Sequence, residues 1–147
     1  MALAPEDQKN IESLAIKLIE HYEFKRPPIP IDKILYQPPE GLESVDISDL
    51  SLVFGIGEHR YEYRMALARL LYREICRASE NWEQHYPYTN DAARYFSASL
   101  LAPAQWIVKA TRKPFVTLET LSEEFQIPEY AMASRLVILG RRVKGMS

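Results

Sequence analysis

The chain has 147 residues, 47% of them hydrophobic and 26% charged, with a net charge of −2 at neutral pH. Those values fit one compact globular domain and exclude a disordered chain. They leave no global positive field for nucleic acid or an anionic membrane. No apolar run approaches the roughly 18 residues of a membrane span.

Cys76 is the sole cysteine, so no internal disulfide forms and a cytoplasmic location is expected. Glu6, Asp7, Lys9 and Glu12 interrupt the N-terminal region, which is unlike a signal peptide. The clearest helix spans 5 to 22. Pro5 suits its first turn, Glu6 and Asp7 suit the positive end of its dipole, and Ile11, Leu14, Ala15, Leu18, Ile19 and Tyr22 form one apolar stripe. Lys25-Arg26-Pro27-Pro28-Ile29-Pro30 forces an extended connection. Asp32 is placed to cap a short helix through Ile34 and Leu35, stopped by Pro38-Pro39. From Leu42 to Tyr63, short apolar groups such as Val45, Ile47, Leu52, Val53, Phe54 and Ile56 alternate with Asp, Ser and Gly. This predicts two or three strands of an antiparallel sheet.

A helix is predicted from about Glu62 to Ser79, apolar on more than one side and therefore central. An aromatic loop from Trp82 to Tyr88 separates it from a helix over Asn90 to Leu101. Pro103 opens a further helix through Trp106 and Val108. Thr117 caps a helix ending at Phe125, Gln126-Ile127-Pro128 turns the chain, and a last helix runs from Glu129 to Leu139 before Gly140. The basic tail Arg141-Arg142-Val143-Lys144 is expected to fray.

The run Arg64-Met65-Ala66-Leu67-Ala68-Arg69-Leu70-Leu71-Tyr72-Arg73 resembles the active helix of the ImmA/IrrE metallopeptidases. Asn90 to Pro103 is similar to that family's downstream helix, Pro28 to Ile34 to its proline-rich approach to a short helix, and Leu118 to Gly140 to its closing helix pair. These segments occur in the family's order. The resemblance implies an α+β, zincin-like fold: helices around a small antiparallel sheet, with a C-terminal pair resembling a helix-turn-helix. It implies one domain over 1–147, with a degenerate peptidase-like core at 1–116, the closing pair at 117–140 and the tail at 141–147.

In the family, two histidines four apart bind zinc, the glutamate beside the first activates water, and a downstream glutamate completes the ligand set. The matching positions here are Arg69, Leu70, Arg73 and Asn90. Arginine offers only donors and no lone pair, leucine accepts no proton, and asparagine is a poor substitute for a carboxylate. No metal, no cofactor and no catalytic residue is therefore expected. The remaining metal or nucleophile candidates, His21, His59, His85, Cys76, Glu74, Asp91 and Glu58, lack HxxxH, CxxC or HxH spacing. Ser97 and Ser99 lie in a helix pattern without a strained elbow.

Arg69 and Arg73 are read first as salt-bridged to Asp91, Glu74 or Glu62. The sharper reading is an anion or partner pocket of Arg69, Arg73 and Arg94, with Tyr72 partly filling the old cleft. Three functions follow. The favoured one is an inactive ImmA/IrrE-like regulator binding a protein partner, by family analogy a helix-turn-helix repressor. The alternatives are a hydrolase with a relocated metal site and a DNA-binding regulator using the last two helices. Glu123, Glu124 and Glu129 oppose phosphate contacts on those helices, so nucleic acid is not the expected partner, and neither is a membrane.

Overall fold

The computed structural model describes residues 3–42 and 60–146. Helix α1 spans Pro5–His21 and buries Ile11, Leu14, Ala15, Leu18 and Ile19, the stripe set by its 3.6-residue period. Helix α2 spans Ile31–Tyr36. Pro30 precedes it, and Asp32 lies in its first turn and makes no capping bond, contrary to expectation. There Asp32 still meets the positive end of the helix dipole.

Helix α3, Glu62–Ala78, buries Met65, Leu67, Ala68, Leu71, Tyr72, Ile75 and Cys76 and ends in a 3-10 turn at Ser79–Asn81. Its early residue Arg64 donates to the carbonyls of Ile29 at 2.6 Å and Gln126 at 3.0 Å. One guanidinium thus joins α3 to the chain before α2 and to the turn before the last helix. Ser79 fixes the start of the aromatic loop: its hydroxyl donates to the Cys76 carbonyl and accepts from the Tyr86 amide.

Helix α4, Asn90–Leu101, is capped by Thr89, whose side chain accepts from the Ala92 amide at 3.0 Å. It packs along α3 on one side and α1 on the other, and also meets the last helix. Helix α3 also packs on α2, so α3 and α4 both hold the core. The small residues Ala92, Ala93, Ser97 and Ser99 of α4 admit close neighbours, and both serine hydroxyls return to backbone carbonyls one turn earlier.

Helix α5 spans Ala104–Thr111 directly after Pro103. Helix α6 spans Leu118–Phe125 and starts with a reciprocal capping box between Thr117 and Thr120. Helix α7 spans Glu129–Ile138, and Gly140 follows at φ +67°, the left-handed conformation expected past a helix end. The tail is tied down where fraying is expected. The Leu118 amide donates to the Lys144 carbonyl at 2.8 Å, and Val143 and Met146 pack on the core.

Helix accounts for 64% of the described residues and strand for 2%. The expected α+β, zincin-like architecture is corrected accordingly: among the described residues the backbone groups pair within helices, and the one β-bridge joins Thr117 to Lys144. Of the segment expected to form strands, residues 43–59 lie outside the described residues, while Glu62 and Tyr63 already belong to α3. No described helix is long and apolar enough to cross a membrane.

One charged cluster locks the helices together. Arg135 of α7 is 1% exposed. Its guanidinium donates to both carboxylate oxygens of Glu12 in α1, at 2.6 and 2.8 Å, and to the Ala102 carbonyl at 2.8 Å. The Tyr95 hydroxyl of α4 donates to the same carboxylate at 2.9 Å. Three helices and the α4–α5 junction thus meet at one ion pair whose donors and acceptors are well used.

Candidate functional site

Helices α3, α4 and α7 each turn one polar face toward a common cavity of about 580 Å³. Glu62 and Arg69, two turns apart on α3, line it with Asn90 and Arg94, one turn apart on α4, and with Tyr130 and Ser134, one turn apart on α7. Its apolar lining is Met65, Ala98 and Ala131.

Glu62 organises one wall. Its carboxylate accepts from the Tyr130 hydroxyl at 2.6 Å and lies 3.7 Å from the Arg69 guanidinium. Burial and the Glu62 carboxylate push the Tyr130 phenol up to about 12, against the opposing charges of Arg69 and Arg94. Tyr130 is therefore a neutral donor at physiological pH. Arg69 makes only this loose ion pair, and Arg94 makes no hydrogen bond or ion pair with any described residue. Among the described lining residues, two guanidiniums stand against one carboxylate, a net positive set.

The residues singled out from the sequence separate here. Arg69, Asn90 and Arg94 come together, although Asn90 is distant from Arg69 in the chain. Arg73 does not join them. It is exposed and lines a second depression, of about 340 Å³, with Cys76, Glu80, His85 and Tyr86. The aromatic loop after α3 closes over that end of the helix: the Tyr72 hydroxyl donates to the Pro87 carbonyl at 2.7 Å, and Tyr88 stacks near Tyr72. One helical turn therefore separates two environments. Leu70 is half-buried and lines neither depression.

Tyr72 is 0% exposed and stacks on Phe96 of α4 at 5.0 Å. It is a core residue, neither a filler of the cavity nor accessible to a partner. Burial pushes its phenol far above the ordinary tyrosine range. Burial also raises the Cys76 thiol to about 11, with the nearby Tyr72 hydroxyl opposing the shift in part. Such a thiol is a poor nucleophile and a poor metal ligand.

The expected pairings are settled in part. Arg69 reaches Glu62, whereas Glu74 pairs with Arg77 at 3.4 Å. Zinc does not fit the positions that the resemblance matches to its ligands, because Arg69 and Arg73 offer no lone pair and Asn90 offers one weak amide oxygen. Among the described residues no group of three His, Cys, Asp or Glu side chains is placed to hold a metal ion. His59 and Glu58 lie outside the described residues.

The start of α7 is occupied by Tyr130, held to Glu62, while Glu123 pairs with Arg60 at 3.7 Å and Glu124 with Lys113 at 3.6 Å. Glu119, Glu123 and Glu129 border a third depression beside Tyr130. Tyr130 and Ser134 escape a reading by periodicity because they are exposed polar positions on an amphipathic helix. Arg135 had a visible signal: it is a charge within the apolar set Ala131, Met132 and Leu136. Comparison with family models, curated proteins and solved structures finds no match to this chain.

Proposed function

We propose that this chain is a non-catalytic, ImmA/IrrE-like protein-binding module that engages its partner over the cavity between α3, α4 and α7. The observation that carries this reading is the meeting of Arg69 and Asn90 at one cavity. Both occupy positions matched to zinc ligands, both have lost ligand chemistry, and both border a net-positive hollow with room for a partner's side chain. The exposed Tyr130 at its rim is 62% accessible and has the amphipathic character favoured at protein contacts. The family resemblance points to a helix-turn-helix repressor as the partner and to the cytoplasm as the place of action.

Two measurements test this reading. Elemental analysis of untagged protein is expected to find no stoichiometric zinc. One tightly held zinc per chain would restore a metallohydrolase reading. A photo-crosslinking residue placed at Ser134 in the native host should capture a discrete protein partner. The same residue at Lys17, an exposed position of α1 outside the cavity, should not. Capture that is equal from both positions, or absent from Ser134, would overturn the proposal.

A further inference from the structure

We infer that the cavity is a carboxylate-binding site in which Arg94 is the primary anchor, Arg69 and Asn90 are auxiliary donors, and Glu62 is an internal competitor. The inference deepens the protein-binding reading by naming the chemistry the partner presents: an acidic side chain.

Guanidiniums in this protein differ in how their donors are used. Arg64 and Arg135 direct theirs to named carbonyl and carboxylate oxygens. Arg69 and Arg94 donate no hydrogen bond to any described residue, yet both border one cavity that the Asn90 amide also lines. A guanidinium presents a planar fork matched to a carboxylate. Asn90 adds two further N–H donors.

The class of anion follows from Glu62. With that carboxylate in the wall, the described lining carries one net positive charge. A monoanion neutralises it, whereas a dianionic phosphate meets added repulsion from Glu62. Met65, Ala98 and Ala131 supply apolar lining for the methylene stem of a glutamate. Glu62 already stands 3.7 Å from Arg69, beyond hydrogen-bonding distance, and Tyr130 holds its other oxygen. It therefore acts as a loosely held stand-in for the incoming acid, and Arg94 is left for the ligand.

The test is a titration of isotopically labelled protein with N-acetyl-glutamate N-methylamide, read at the arginine Nε–H resonances. The glutamine analogue and inorganic phosphate serve as comparison probes. The Arg94 and Arg69 signals should move with the glutamate probe and not with the glutamine probe. Arg94→Gln should weaken probe binding about tenfold or more, as loss of a charge-assisted hydrogen-bond pair implies. Glu62→Gln should strengthen it several-fold, because the internal competitor is neutralised while Tyr130 keeps an oxygen to bond. Both variants change accessible side chains, and circular dichroism checks that they fold. Equal responses to glutamate and glutamine, tighter binding of phosphate, or unchanged affinity in Arg94→Gln would each overturn the inference. If a partner captured from Ser134 is retained undiminished by Arg94→Gln, the carboxylate site is wrong and the protein-binding reading stands. If the probe binds while Ser134 captures nothing, the carboxylate site stands and the protein-binding reading falls.

Discussion

Arg135 and Arg94 belong to helices that touch, yet they embody opposite uses of one side chain. Arg135 is buried, forks onto Glu12 and spends a further donor on the Ala102 carbonyl. Arg94 is exposed at a cavity rim and bonds to no described residue. Burial forces full satisfaction, because an unpaired buried charge costs several kcal/mol. Solvent supplies the partner at the rim, where a ligand can replace water. The first arginine should govern stability and the second should govern recognition, and their variants should separate accordingly.

The largest expected effect is at Arg135. Arg135→Met strands the Glu12 carboxylate against the core and should destabilise the fold by about 3 kcal/mol, read from urea denaturation. Combining it with Glu12→Gln should recover part of that loss, since the stranded charge is removed. A loss below the scatter of surface variants would show that the ion pair is not a structural tie.

Acid should weaken the same tie. Burial alone would raise the Glu12 carboxyl, but hydrogen bonds and charge from Arg135, aided by Tyr95 and Ser99, hold it below its ordinary 4.5. A depressed folded value means that the stabilisation is fully present above 4.5 and disappears as pH falls through the lower folded value. The stability gap between wild type and Glu12→Gln should therefore be wide at neutral pH and narrow as pH falls below 4.5. A gap that stays constant or widens in acid would contradict the assignment.

Smaller effects sharpen the contrast. Thr117→Ala removes one half of the capping box at α6 and should cost about 1 kcal/mol. Arg94→Gln should change stability by less than about 0.5 kcal/mol, the usual range for surface positions without a partner. A large loss at Arg94 would mean that it braces the fold and is not held in reserve for a ligand.

Much of the helical framework was legible in the chain. The stripe in α1, Thr117 before its helix, and Gly140 after α7 are local signals, each acting within a turn or two of itself. The α+β fold class fails because the described residues are mostly helical, while 43–59, which carried the strand expectation, lie outside them. Arg69 and Asn90, paired in the sequence through motif order, line one cavity in the fold. Arg73 was not separable from Arg69 by spacing, since the Tyr72–Pro87 bond that folds the aromatic loop over α3 is a tertiary contact. Tyr72 was assigned to the cleft because its position in the motif is local, while its stacking on Phe96 is long-range. The Glu12–Arg135 pair joins opposite ends of the chain, and only folding reveals it.

Photo-crosslinking from Ser134, compared between the unaltered protein and an Arg69→Glu, Arg94→Glu double variant, tests the central claim most directly. Reversing both charges turns the cavity lining negative while leaving Arg135 and the core untouched. The account predicts that partner capture is lost while the circular dichroism spectrum and urea midpoint remain close to those of the unaltered protein. Undiminished capture by a folded double variant would contradict it and move the interface away from this cavity.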